Sequence, residues 1–533
     1  MLLPALVLSV LAPAQQNYQP LKVPGFFDDR MVLQAGEPIT IWGTGEPRTR
    51  VHLTIAAEAD WTETLAAAHG NVGANGRWSL QLPAQEASYA SYRIELVGVG
   101  GMQIWEEVQF GEVWFAAGQS NMEWPMSRAT GWNELRQRMT EDHRYRGLLS
   151  RVRFYDAQYT ATGGGGAWSK QTVEGMQPHS FRRGKWSRAD EDDFHRMSAV
   201  AWYFAHFLQR KLDCPVGVIE VAAGGTPTEA WVDPAVLAAQ ASTSALVAEG
   251  SWLDNPALSA WCRDRARQNL ATAFAEGWQI PGNERGPHHV FQPGYMWQVA
   301  VQPFTRLPIA GVIWYQGESN AGSAERVAQH EAIFRSLRQS WRKAWNDSAL
   351  PFLTVQLPGM DREHWPAFRE QQRQLQQEDP RTGMAVTIDL GDPRDVHPRN
   401  KRPVGERLAR TARALVYGHD ILHTGPIPQS IRQLAGDRLR IGWAEIGAGM
   451  AQPEDARGFE WQDADGNWHP FAGLGALQQA PDLAPGRVRE LELLLPAGAQ
   501  AKVVRYLWAH SPTPTLYDSS LLPAGPFVAP VSD

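Results

Sequence analysis

From residue 111 to about 425, short apolar runs closed by polar, glycine-containing turns alternate with longer segments of helical spacing. This alternation constrains the fold more than any other feature. Strands joined through helices pair in parallel, and a parallel sheet must be covered on both faces. Val113–Ala117, Val216–Ala222, Ile309–Tyr315 and Phe352–Gln356 read as strands. Ser198–Leu208, Ser323–Trp345 and Val404–Tyr417 read as helices, the first opened by a serine N-cap and the last stopped by Gly418. The expected core is therefore α/β, a three-layer α/β/α arrangement around a parallel sheet. Three stretches interrupt the pattern. Residues 160–167 read as a flexible glycine loop, and residues 173–195 mix acids and bases without a period. Residues 252–279 read as a helical insertion, followed by a Gly/Pro/His stretch through Pro293 and placed to rim a site.

The flanks differ. Before the core, Ile39–Gly43, Val51–Ile55, Trp78–Leu82 and Tyr92–Val97 are β-formers punctuated by Asn75-Gly76 and the glycines at 98–101, which suggests a small sandwich. After Pro426, Leu439–Trp443, Arg489–Leu495 and Val503–Trp508 give a second, smaller β-rich region. A chain of 533 residues exceeds one ordinary core, and the division expected is 18–110, 111–425 and 426–533. A net charge of −7 argues against nucleic acid or an anionic membrane as partner. Residues 1–14 are apolar and end in Ala12-Pro13-Ala14, which has the look of a signal-cleavage site although no Lys or Arg precedes Lys22. A secreted or periplasmic protein is expected, with no membrane span. Cys214 and Cys262, too few for a disulfide framework, read as two free buried thiols.

The chemistry gathers at three turns. Val113–Ala117 runs into Gly118-Gln119-Ser120-Asn121, which sets a serine at a strand's carboxyl end, where open α/β sheets place reactive groups. Ala310–Asn320 repeats the design, ending in Gln316-Gly317-Glu318-Ser319-Asn320. The loop after Ala385–Ile388 carries Asp392, Asp395 and His397. A serine hydroxyl becomes a nucleophile when a histidine takes its proton and an acid orients that histidine. The chain offers the serine first and the Asp/His pair last.

Gly118–Met122, Trp314–Asn320 and Asp395–Lys401 resemble the blocks of the sialate O-acetylesterases, within the wider SGNH (GDSL-like) hydrolases; Gly224–Trp231 resembles the family's glycine block and Phe26–Gln34 its amino-terminal signature. The resemblance spans most of residues 20–420 and implies an SGNH-type core flanked by β-rich regions. It also implies a serine esterase acting on an acetylated carbohydrate, sialate first, with acetylxylan or another acetylated glycan as the alternative. A non-catalytic glycan-binding protein would be expected to have lost the Ser/His pair, which is intact here. Ser120 is then the nucleophile and His397 the base. His288 and His289 are rivals without a matched partner. The wider superfamily sets its acid three residues before the histidine, where this chain has Arg394; Asp395 lies two before, on the same side if the loop is extended. Asp392, Glu318 or a Ser–His dyad are the alternatives. The oxyanion donors expected are the amides of Ser120 and of Gly225 (or Gly224), with the side chain of Gln316 or Asn320, Gln316 being nearer the strand end. Gln119, Asn121 and Glu318 would contact or support the substrate, and Arg394 or Arg399 would read a sugar carboxylate. No metal or cofactor is expected, since no His-Glu-x-x-His, EF-hand or Walker pattern occurs. Most of the 23 Trp should fill cores, with some lining a sugar cleft. One departure bears on the sugar: Met296-Trp297 stands where the family usually has Asn-Gly.

Overall fold

The computed structural model describes residues 19–475 and 482–532, so the apolar leader read over residues 1–14 lies outside it. The core strands are β1 (Gly101–Gly118), β2 (Val152–Tyr159), β3 (Arg182–Arg188), β4 (Val216–Glu220), β5 (Gly311–Tyr315), β6 (Phe352–Val355) and β7 (Thr382–Ala385). They lie in the order β7-β6-β5-β1-β4-β2-β3, parallel throughout except for β3, which runs antiparallel to β2. The helices that matter below are α1 (Trp132–Glu141), α2 (His143–Leu149), α3 (Ala199–Leu212), α4 (Ala260–Ala275), α5 (Ala324–Trp345), α6 (Trp365–Gln377) and α7 (Arg402–Leu415).

The central strand shows why the sheet is covered twice. Side chains alternate across a strand, so Val113, Phe115 and Ala117 enter one core, packed with Ile333, Leu337 and Trp341 of α5. Trp114 and Ala116 enter the other, with Phe204 of α3 and Leu408 of α7. Both helix layers start where the sequence supplies a cap: Ser198 accepts from the Ala201 amide and Ser323 from the Arg326 amide. Edge strand β3 falls inside the stretch that showed no period. Its sequence, Arg-Arg-Gly-Lys-Trp-Ser-Arg, buries Trp186 and exposes Arg183 and Lys185, charges that suit an edge that must not recruit another strand.

β1 is longer than the apolar run that announces it. Its first half pairs antiparallel with Ser88–Gly98 and its second half parallel with β4 and β5. The amino-terminal strands are thereby joined to the core sheet, and residue 110/111 falls in the middle of one strand. Ile41, Leu53 and Ile94 share a continuous core with Phe115 and Trp341. The carboxy-terminal region forms two four-stranded sheets. Its core takes in Met384, Val386 and Ile388 from the end of β7. Arg369 of α6, fully buried, donates to the carbonyls of Ala509 and His510 and ties that region to the core. Cys214 is half-buried, Cys262 is buried, and both are free; burial pushes each thiol up to about 12. No helix among the described residues is long and apolar enough to cross a membrane.

Candidate active site

β1 ends at Gly118, and no other residue fits there. Its φ is +140°, and a Cβ would stand 2.1 Å from the Tyr315 carbonyl oxygen of the neighbouring strand. The chain turns at once through Gln119 into a short helix, Ser120–Glu123, which begins at the serine. The turn delivers the Ser120 hydroxyl to the carboxyl edge of the sheet.

His397 comes to meet it from the loop after β7, across 277 residues of sequence, with its Nε2 2.8 Å from Ser120 Oγ. The ring stacks on Trp124, centroids 5.2 Å apart and planes 24° from parallel. Burial holds the imidazole below its ordinary value; Lys401 and Arg128 act in the same direction and Asp395 opposes them. Asp395 accepts the backbone amide of His397 at 2.9 Å, while its Oδ1 stands 4.0 Å from His397 Nδ1, beyond a hydrogen bond. Asp392 accepts the Arg394 amide. A hydroxyl bonded to a neutral imidazole, beside amide donors, can attack a carbonyl and surrender its proton.

The loop is pinned from beneath by Asn121, which is fully buried. Its side-chain amide donates to the Val396 carbonyl at 2.9 Å and to Glu318, and its oxygen accepts from Lys401. Lys401 is also buried, and burial brings its ammonium down to about 7 against the pull of Glu318 and Asp395. Burial raises Glu318, whose Oε2 is enclosed without a partner among the described residues. Lys401 closes a motif legible in the sequence, yet only its burial marks it as part of the site.

A cleft of about 690 Å³ opens over Ser120 and His397. Gln119, Gly224, Gly225 and Glu318 line its floor; Trp261 and Arg362 stand among its walls. The amides of Ser120 and Gly225 meet no acceptor among the described residues, whereas that of Gly224 is engaged by the Glu123 carboxylate. Burial, with Asp156 nearby, lifts that carboxyl to about 7. Gln119 accepts the Ser319 amide on its Oε1 at 3.3 Å, which turns its amide nitrogen the other way.

Gln316 and Asn320 do not reach the cleft, contrary to expectation. The Gln316 amide donates to Thr226 O at 3.2 Å and Asn320 Oδ1 at 2.7 Å, and that of Asn320 to Glu229 Oε2 at 3.0 Å. Both are buried, and they lock the turn after β5 to the turn after β4. The physical reason is direction: buried amides that bond one another and the neighbouring turn point away from the cleft. Arg394 is exposed and absent from the cleft lining, where Arg362 stands instead.

The insertion does rim the site. Trp261, at the start of α4, is 49% exposed and faces the cleft. The glycine loop at 160–167 is held, since buried Asn269 donates to the Gly164 carbonyl at 2.8 Å and the Gly166 carbonyl at 2.6 Å. His289 supports the same knot: Nε2 lies 3.2 Å from Asn269 Oδ1 and the ring stacks on Trp168. Met296 and Trp297 are buried in the core and absent from the cleft lining, so the departure from the family pattern there concerns packing.

A family model described as "Carbohydrate esterase, sialic acid-specific acetylesterase" matches residues 290–414, a stretch that contains His397. The sialate O-acetylesterase of Mus musculus is 26% identical over 95% of this chain and 94% of its own length, and that of Homo sapiens is 26% identical over 95% and 92%. The crystal structure of a carbohydrate acetylesterase from Xanthomonas citri superposes with a TM-score of 0.71 at 26% identity, covering 96% of this chain and 99% of that one. Along nearly its whole length the chain is similar to the sialate O-acetylesterases. It is a carbohydrate esterase with an SGNH-type α/β/α core and added β-rich regions. The similarity runs through the flanking regions as well as the core.

Proposed function

We propose that this carbohydrate esterase is a serine hydrolase that removes O-acetyl groups from a sialylated glycan. The observation that carries the reading is the 2.8 Å contact between Ser120 Oγ and His397 Nε2. Ser120 attacks the acetyl carbonyl as His397 Nε2 takes its proton. The charge that develops on the carbonyl oxygen falls to the open amides of Ser120 and Gly225 and the side-chain amide of Gln119, in place of Gln316 or Asn320. The C–O bond to the sugar then breaks, and the sugar oxygen leaves with the proton held by His397. Water, deprotonated by the same nitrogen, attacks acetyl-Ser120; acetate departs and the serine regains its proton. Asp395 is a weak orienter of His397, while Trp124 and the Asn121–Val396 bond hold the ring and its loop. Trp261 offers an apolar face to a sugar ring, and Arg362 a guanidinium to a sugar carboxylate, which favours sialate over neutral acetylated xylan.

The three-part division (18–110, 111–425, 426–533) belongs to the same reading, with the flanking regions bracing the core through the shared strand β1 and the Arg369 bonds. Export also remains part of it, and amino-terminal sequencing of the mature protein tests the cut after Ala14. The activity test is hydrolysis of 9-O-acetyl sialic acid, acetylated xylan and p-nitrophenyl acetate by the protein and by Ser120→Ala. Activity should fall at least about 10³-fold in the variant. Full activity in Ser120→Ala ends the assignment, and a preference for acetylated xylan ends the sialate reading.

A further inference from the structure

A second cavity, of about 890 Å³, shares no lining residue with the cleft yet is closed by the same loop. The loop that carries His397 continues to Asn400 and Arg402, which form one border of this cavity; the Thr130 amide beside them donates to the Arg399 carbonyl at 3.0 Å. The other walls come from α1, α2 and α3.

Three guanidinium groups converge there from three helices: Arg138 of α1, Arg210 of α3 and Arg402 of α7. All three act electrostatically on the His206 imidazole and on the Tyr145 hydroxyl, which places them around one point. None has an ion-pair partner among the described residues, whereas Arg151 at the rim is matched by Asp213 at 3.7 Å. Glu134 is the other acid of the lining, so the lining stays net positive. Arg138 lies over the Tyr145 ring at 3.7 Å and Arg402 over Phe207 at 5.7 Å, an arrangement that fixes each plane and leaves its N–H edge for a ligand.

The cavity wall also holds two polar atoms without partners. Trp202 is only 1% exposed, and its indole N–H meets no acceptor. Its ring stacks on His206 at 4.9 Å, and His206 Nδ1 is likewise enclosed and unpartnered. Buried groups of this kind are rare, and each is costly if left unmet. An indole N–H can only donate. With the guanidinium groups, these atoms give one side of the wall a set of donors backed by aromatic rings, which suits an anion with acceptor oxygens and an apolar face.

We propose that this cavity binds a carboxylate-bearing sugar unit of a glycan. The carboxylate sits on the Arg138–Arg210–Arg402 cluster and ring oxygens take the Trp202 and His206 nitrogens. The volume is far larger than a simple ion requires, and the aromatic wall matches a sugar ring. The word "sugar" rests on the glycan substrate proposed above; the anion site does not.

The test uses the full chain carrying Ser120→Ala, so that nothing is turned over, titrated with glucuronate, glucose and inorganic sulfate by calorimetry and tryptophan fluorescence. Glucuronate should bind at least about tenfold more tightly than glucose, the worth of one charge-assisted contact. Arg210→Gln with Arg402→Gln should weaken glucuronate by at least about tenfold, and Arg210→Gln alone, at an exposed position, by a smaller factor. Trp261→Ala in the other cleft should leave in place the share of binding that the arginine variants remove. Thermal unfolding reports whether the arginine variants fold, and the single variant serves if the double does not. Equal binding of glucuronate and glucose overturns the proposal, as does undiminished binding by the arginine variants. Sulfate binding as tightly as glucuronate overturns it as well. Because the serine is absent throughout, failure of the esterase reading would leave the result of this titration standing.

Discussion

Asp395→Asn tests how much the acid contributes. The replacement keeps the shape and still lets the side-chain oxygen accept the His397 amide, a bond 2.9 Å long, so the loop should hold. What it removes is a negative charge 4.0 Å from His397 Nδ1. At that distance two unit charges interact by about 1 kcal/mol in water and about 4 kcal/mol at an effective dielectric of ~20. The Asp395 side chain is 46% exposed, which puts the pair near the watery limit. The expected cost to imidazolium formation is therefore about 1–2 kcal/mol, a loss of roughly five- to thirtyfold in kcat. In a serine protease whose acid is buried and bonded to the ring, the same replacement costs about 10⁴. The sign with pH is also set. Asp395 favours the charged ring, so removing it lowers the His397 pKa and moves the acidic limb of the rate profile to lower pH. The assay is kcat and kcat/KM on p-nitrophenyl acetate from pH 4 to 9 in the native protein and the variant. A loss of about 10³ or more would refute the reasoning, because it would require a dry, bonded Asp–His contact.

Lys401→Met should move the acidic limb the opposite way, since the Lys401 cation disfavours the imidazolium and its removal raises the His397 pKa; an unmoved limb counts against the electrostatic link. Gly118→Ala must fit a Cβ 2.1 Å from the Tyr315 carbonyl oxygen at φ +140°. It should cost about 2–5 kcal/mol in chemical denaturation and, by shifting Ser120 by about 1 Å, on the order of 100-fold in rate; native kinetics would show the turn to be tolerant. Burial brings the His289 and His330 imidazoles down to about 3. Below pH 6.5 the unfolded chain takes up protons that these folded rings refuse, so stability should fall between about pH 6.5 and 3 by about 1.4 kcal/mol per pH unit for each. Urea titrations at pH 7 and 5 read that slope, and replacing His330 by Gln should reduce it.

The two core helices that open at Ser198 and Ser323 were legible because each carries its cap beside an apolar stripe. Edge strand β3 was not, because its arginines lie on both faces: Arg182 shares the face of Trp186 and bonds the Tyr155 hydroxyl, while Arg183 is exposed. In the helical pair α1–α2, Trp132, Leu135, Met139 and Tyr145 pack against the core while only partly buried, and the stripe they make is thin among charged neighbours. In the site, the turn at Gly118–Asn121 and the loop through His397 were readable as motifs, since local backbone demands and residue chemistry are written in adjacent letters. Gln316 and Asn320 were misread for the converse reason. Their motif fixes an amide at a strand end, and only the packing of the turn after β4 decides that both amides are spent on Thr226, Glu229 and each other.

The sequence by itself determined the alternation of strands and helices, the glycine that permits the turn before Ser120, and the motifs that resemble those of the sialate O-acetylesterases. Tertiary structure alone decided the 2.8 Å meeting of Ser120 with His397, the 4.0 Å gap at Asp395 and the burial of Lys401. Periodicity and turn chemistry act over a few residues and survive in a one-dimensional string. Distance, dielectric and the satisfaction of buried donors depend on which distant segments share a space, and that is set only when the sheet closes its layers.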